Sequence, residues 1–425
     1  MAKIKPFRAI FYNPQKIKEL SKVVCPPYDI IDPVQQEFYH NLSPYNFIHL
    51  ILGKDIPGED KYKKAAQYFK SWIDDGILIY DNDNYIYFYL QEFSLKGQKM
   101  RRLGFISLLG LDDNSVFSHE HTKIEPKEDR LRLLEEVKAN LSPIFVLFED
   151  KQRIISRVYE NYIIQKEPFM ELTDYENITH KLWRIQDKRF LDLMVKSMRD
   201  RKIFIADGHH RYEVAVTYRN KMREIDSLNN NEERSYDYIM AYFTNVESKG
   251  LVILPVHRLV KDVEVPEAIL KEKLSNYFEI QPIKEKHDFF LYLQKSGFKQ
   301  PTIGMYRKGV FFVLRLKTVS ILDKILKDKP QLYRRLDISI LNYIILKEIL
   351  NIDPDNPENK ERLNFATEVD KLIMEANTHK DSLVFILNPI KIEDVIAVGL
   401  KGYRLPPKST YFYPKVISGL LINKH

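Results

Sequence analysis

The sequence has a single cysteine, Cys25, so no internal disulfide can form and a reducing cytoplasm is the expected setting. No run of about 18 apolar residues occurs, so no membrane-spanning helix is expected. The start, Met1-Ala2-Lys3-Ile4-Lys5-Pro6, carries charge but no apolar stretch behind it, so no secretion signal is expected either. There is no block of five consecutive basic residues, and a net charge of +7 is modest for 425 residues. That balance suits an anionic small ligand and gives a nucleic-acid partner little support. The chain also lacks a G-x-x-x-x-G-K-[ST] loop, a G-x-G-x-x-G after a strand and a G-x-S-x-G elbow. Those absences set aside the usual phosphate-loop, dinucleotide and nucleophile-elbow solutions.

What is present is the composition of a soluble globular protein, 44 % hydrophobic and 29 % charged, long enough for two or three domains. An N-terminal α+β region is expected over residues 1–115. It contains a rigid turn at Pro26-Pro27-Tyr28-Asp29, a helix from Glu59 to Asp75, and strands at Tyr85–Leu90 and Leu103–Leu109. A central region, 116–260, holds a polar loop at His119-Glu120-His121-Thr122, a helix from about Lys127 to Asn140 and a buried strand at Ile144–Phe148. An insertion near 150–195 follows, and then a strand and helix around Asp207. Ser227 to Glu233 reads as an exposed linker, with strands at Tyr238–Phe243 and Leu251–Leu254 beyond it. The C-terminal α+β region, 261–425, should contain two helices before a strand at Gly309–Leu314, then helices at Ile338–Glu348 and Leu363–Ala376. The overall class is α/β (α+β).

The richest chemistry lies in Ile203-Phe204-Ile205-Ala206-Asp207-Gly208-His209-His210-Arg211-Tyr212. An apolar strand end meets an Asp-Gly turn, and a helix opens at His209 with Tyr212, Val214, Ala215 and Tyr218 as its apolar positions. A helix start offers unpaired N–H groups and the positive end of the helix dipole, hence an anion site. His210 and Arg211 add a titratable donor and a bidentate fork. Asp207 can orient a histidine, take a proton or share Mg²⁺ with phosphate oxygens. A structural Asp-Gly turn is the competing reading; two histidines and an arginine in one helical turn count against it.

Other candidates are weaker singly. Glu120 suits a general base, against a solvated loop carboxylate. His119 and His121 beside it match no strong zinc spacing. His257-Arg258 at a strand end either clamps a phosphate or is structural, and Lys408-Ser409-Thr410 offers a cation and two hydroxyls between prolines.

Asp207-Gly208-His209-His210-Arg211 resembles the signature of the free serine kinases in the ParB/sulfiredoxin-like superfamily. The order of preceding elements is similar too: His119-Glu120 in a loop, Arg130 with Leu134 on a helix, then Pro143-Ile144. The whole chain also resembles a long bacterial family of unknown function. Its motifs are Val24 to Asp29, Ser118 to Thr122, Ala206 to Tyr212, Gly250-Leu251 with Leu254 to Arg258, and Pro406 to Lys415.

The resemblance implies a ParB/sulfiredoxin-like central unit with N- and C-terminal elaborations, and a kinase moving a phosphoryl group from ATP or ADP to the hydroxyl of free L-serine or a similar small metabolite. Glu120 would be the base, with Asp207 and His210 as its catalytic partners. Gly208, His209, His210 and Arg211 would hold phosphates, joined by His257, Arg258 and Lys408. His119, Thr122, Tyr28 and Asp29 would line the acceptor, and Asp207 would hold Mg²⁺. The alternative is a nucleotide-binding, ParB-like switch or DNA-associated protein without kinase chemistry; a nucleotide-binding scaffold is a third reading. There are departures from the pattern. About sixty residues separate Pro143-Ile144 from Asp207, where the compact kinases have few. His209 stands where sulfiredoxins carry their cysteine. The arginine-rich box and helix-turn-helix of ParB proteins are not evident.

Overall fold

The apolar runs pair into two large sheets, one in each of two compact units. The computed structural model describes residues 2–111, 114–120, 124–226, 232–297, 299–354, 356–379 and 381–425. One unit comprises Met1–Ser118, Thr122–Val252 and Pro414–His425; the other comprises His119–His121 and Ile253–Tyr413.

The first unit is built on a nine-stranded mixed sheet. Its strands are β1 (Ile4–Lys5), β2 (Ile86–Leu95), β3 (Gln98–Gly110), β4 (Val116–Phe117), β5 (Ile144–Phe148), β6 (Met170–Thr173), β7 (Thr179–Ile185), β8 (Ile203–Asp207) and β9 (Tyr238–Asn245). They lie in the order β4-β8-β5-β9-β3-β2-β7-β6, with β1 against the end of β3. The β4–β8 and β5–β9 pairs are parallel and the rest antiparallel. The insertion expected near 150–195 supplies β6 and β7, which extend the sheet edge beyond β2.

The two faces of this sheet differ in chemistry, because alternate residues of a strand point to opposite sides. Ile86, Phe88, Phe105, Ile144, Val146, Ile203, Ile205 and Phe243 form one apolar face, packed on Ile154, Val158, Met194 and Met198 from helices Ile154–Val158 and Lys188–Met198. The opposite face presents Tyr87, Tyr89, Gln91, Arg102, His180, Tyr242 and Phe145, as the cross-strand pairs Tyr89–Leu182, Gln91–Arg102, His180–Gln91 and Tyr242–Phe145 require. That polar and aromatic face is buried as well.

Helices α1 (Lys61–Asp74), α2 (Ile124–Val137) and α3 (His209–Asp226) complete the functional part of this unit. Asp60 caps α1 by accepting from the Tyr62 and Lys63 N–H groups, and Tyr62, Ala65, Phe69 and Trp72 bury its apolar stripe. α2 packs on α3 through Leu134, Val214 and Tyr218.

The second unit has a six-stranded antiparallel sheet: β10 (His257–Val260), β11 (Phe278–Ile283), β12 (Thr302–Arg307), β13 (Val310–Leu316), β14 (Leu363–Ala366) and β15 (Leu383–Ile386), ordered β11-β13-β12-β15-β10-β14. Helices cover both faces, with separate apolar clusters around Leu314 and Ile344 on one side and Phe289 and Leu372 on the other.

Two expectations need correction. Leu363–Ala376 is not one helix: Leu363–Ala366 is an edge strand paired with His257–Val260, and the helix is Val369–Thr378. The helix expected at Ile338–Glu348 starts at Asp337 and then widens to π geometry over Leu341–Ile349. The mixed α/β class holds. Among the described residues, no helix is long and apolar enough to cross a membrane. Of the expected linker, Ser227 to Asn231 lie outside the described residues.

Candidate functional site

The turn after β8 is set by a bulge. Ile205 pairs with Val146, but Asp207, not Ala206, pairs with Phe145. Regular alternation would put Asp207 on the apolar face; the extra residue turns it onto the polar one, beside Phe145. Gly208 follows at φ +90, and a Cβ there would meet Ile144 Cγ2 at 2.9 Å. Only glycine makes this turn without strain or collision.

Asp207 is 9 % exposed and holds two cations. Its Oδ2 accepts from Arg211 Nη2 at 2.7 Å and its Oδ1 from Lys415 Nζ. Burial alone would raise its pKa; Lys415 and Arg211 outweigh that and, with His209, hold it down at about 2. Arg211 also donates through Nη1 to the Pro143 carbonyl at 2.5 Å, tying the turn to the segment before β5. His209 is buried at the first position of α3, and His210 is partly exposed. The Tyr28 hydroxyl is pushed well up by burial and feels Asp29, Arg130, Arg211 and Asp207, and the Arg130 guanidinium lies 4.1 Å from its ring centre. Asp29 beside it is exposed. Tyr28, Asp207, His209 and Arg211 are thus gathered in this unit.

Lys415 closes the Pro406–Lys415 motif, and nothing in the sequence singles it out over Lys408 as the functional cation. The polar face of the sheet holds its backbone. Gln91 Nε2 donates to the Lys415 carbonyl at 3.0 Å, and Arg102 Nη2 donates to the Pro414 carbonyl. Arg102 is fully buried, bonds Gln91 Oε1 and lies 4.5 Å from the centre of the Phe145 ring. Next to it Tyr89, His180 and Asp174 form a buried chain, with 2.6 Å from the Tyr89 hydroxyl to His180 Nδ1 and 3.0 Å from His180 Nε2 to Asp174. Lys415 borders a narrow cleft with Ser21, Cys25, Pro26, Tyr39 and Asp174.

The second unit gathers a different set. The Leu405 N–H donates to the His119 carbonyl at 2.6 Å, and Arg404 Nη1 to the Glu120 carbonyl at 3.0 Å. The Glu120 side chain accepts the Lys408 N–H at 3.1 Å. Lys408 sits at φ 60, a conformation that costs a non-glycine residue energy and is kept only where its surroundings enforce it. Arg258 does the enforcing: its guanidinium is buried and donates to the Lys408 carbonyl at 2.7 Å and the Val256 carbonyl at 2.7 Å. Burial lowers its pKa to about 9, although Glu120 opposes the shift. His119 Nε2 lies 3.2 Å from Thr410 Oγ1.

His257 does not join this set. Its Nδ1 accepts the Leu387 N–H at 3.1 Å, and burial, helped by Arg258, lowers its pKa to about 4. Thr122 and His121 lie outside the described residues. Among the described residues no three His, Cys, Asp or Glu side chains are grouped as a metal site.

A free serine kinase variant in complex with ADP is similar at 10 % identity and a TM-score of 0.36, over 72 % of this chain and 87 % of that one. A conserved hypothetical protein from Pyrococcus furiosus gives 11 % identity and 0.34, over 73 % and 92 %. C-terminally truncated SbnI from Staphylococcus aureus gives 11 % and 0.35, over 75 % and 87 %. No protein of curated function matches the sequence. Residues 4–339 match the family described as a protein of unknown function, DUF1015, and the chain belongs to that family.

Proposed function

We propose that this protein is a cytoplasmic small-molecule kinase, transferring a phosphoryl group from ATP or ADP to the hydroxyl of free L-serine or a similar metabolite. The observation that carries the reading is the Glu120 carboxylate, which accepts the Lys408 N–H, in a chain whose Asp207–Arg211 turn concentrates cations at a helix start. Phosphoryl transfer asks little covalent chemistry of a protein; a base, aligned reactants and positive charge for the phosphates suffice.

In this reading Glu120 takes the proton of the acceptor hydroxyl as its oxygen attacks the terminal phosphorus. The bond from that phosphorus to the bridging oxygen breaks, and the shortened nucleotide leaves. Gly208, His209, His210 and Arg211 hold phosphate oxygens, and His210 supplies a titratable donor. His119, Thr122, Tyr28 and Asp29 are assigned to the acceptor. Lys408, exposed at the tip of its turn, is the phosphate-reaching cation of its motif. Arg258 spends donors on the Val256 and Lys408 carbonyls and so shapes the turn, while His257 accepts from Leu387. The ParB/sulfiredoxin-like core is assigned to the elements around 116–260, between elaborations over 1–115 and 261–425. Mg²⁺ accompanies most nucleotide donors. Asp207, its expected ligand, has both oxygens committed to cations, so the residues as arranged do not fit a metal there and the reading routes no step through it.

The test is incubation with ATP or ADP, Mg²⁺ and a panel of small hydroxyl compounds, read by mass spectrometry. A phosphorylated metabolite is expected, with Glu120→Gln slower by about 10²-fold or more. Full activity in Glu120→Gln would remove its role. No product, together with duplex-DNA binding that falls steeply with salt, would favour a DNA-associated switch.

A further inference from the structure

We infer that Arg211 and Lys415 form the phosphate-oxygen site of the turn, with Asp207 as their built-in counter-ion and not a metal ligand. This deepens the kinase reading and rests on it for the identity of the anion, a nucleoside diphosphate or triphosphate.

Three observations carry it. First, several cations converge on one carboxylate. Arg211 and Lys415 both bond Asp207, and the charge of buried Arg102 is felt through the same carboxylate. Cations gathered at one point attract an anionic ligand more strongly than any one of them alone. Second, both Asp207 oxygens are occupied by cations, so a divalent ion there would face like charge at close range. Third, the Lys415 backbone is anchored by Gln91, and that of Pro414 before it by Arg102, while its ammonium reaches Asp207 and the residue borders the cleft with Cys25 and Pro26. That leaves a flexible four-carbon stem able to pass its ammonium from Asp207 to an incoming oxygen. Arg211 stays put, held also by the Pro143 carbonyl, and its buried Nε has no hydrogen-bond partner among the described residues. Gly208 adds a backbone surface without a side chain at the start of α3.

The experiment uses the full chain and two probes, ADP and inorganic pyrophosphate, titrated calorimetrically in EDTA and in Mg²⁺. Binding without Mg²⁺ is expected. Lys415→Met should weaken both probes at least tenfold and flatten the salt dependence, and Lys415→Arg should recover much of the loss. Asp207→Asn should keep or tighten binding in EDTA, since removing a competing anion frees both cations. Thermal melts run beside each titration, and Lys415→Arg covers the case in which Lys415→Met or Asp207→Asn folds poorly. Wild-type affinity in Lys415→Met, Mg²⁺-dependent binding that Asp207→Asn abolishes, or no binding of either probe would each overturn the site. Probe binding with no product from any acceptor would sink the kinase reading and leave the site standing. Product formation with Lys415→Met unchanged would do the reverse.

Discussion

Lys415 and Asp207 stand 208 positions apart in the sequence and form an ion pair whose side chains are 10 % and 11 % exposed. The pair fixes a pH dependence. Asp207 has a folded pKa of about 2, below its ordinary 3.8. Its contribution is therefore present above pH 4 and is lost as pH falls through 2. The shift corresponds to about 2 kcal/mol. Acid titration of stability by circular dichroism should show this loss, and Asp207→Asn should lack it.

His257 works in a higher window. Its folded pKa of about 4 lies below the usual 6.5, so neutral His257 stabilises the fold above pH 6.5 and that support fades as pH falls toward 4. The span corresponds to about 3 kcal/mol. Half-buried His425 is lowered to a similar value by desolvation and adds to the same slope. Denaturant midpoints between pH 4 and 7 should fall less steeply in His257→Gln; an unchanged slope would place the proton uptake elsewhere.

Gly208→Ala should destabilise by about 1–3 kcal/mol, since it forces an L side chain to φ +90 and drives a Cβ to 2.9 Å from Ile144. Gly58→Ala is the control: its φ is +83, but nothing lies within 4 Å of the added Cβ. Urea melts that gave the two variants equal losses would show that the collision with Ile144 is relieved.

Lys408→Gly separates the strain of its turn from the use of its charge. Glycine relieves the φ 60 conformation, so stability should hold or rise by up to about 1 kcal/mol. Phosphoryl transfer should fall in the same variant. If transfer is unaffected, the Lys408 ammonium plays no part and only its N–H to Glu120 matters.

Much of the local structure is legible in sequence. Ile144–Phe148 and Tyr238–Phe243 are apolar runs of strand length, and the Asp-Gly turn marks the start of α3. Leu363 and Ala366 continue the helical spacing of Val369, Leu372, Ile373 and Ala376, whereas Leu363 and Phe365 alternate as a strand; pairing with His257–Val260 decides for strand. The Lys415 contact was not legible. It depends on the bulge at Ala206 and on a fully buried Arg102 gripping the Pro414 carbonyl, and neither leaves a periodic trace.

The placement of Pro414–His425 in the first unit has a consequence for biosynthesis. Every strand of the nine-stranded sheet has been translated by Asn245, whereas Lys415 leaves the ribosome only after the 161 residues Ile253–Tyr413. A nascent chain can therefore assemble the sheet and bury Asp207 with Arg211 alone. The electrostatics of the turn are completed only after the residues of the second unit have been made.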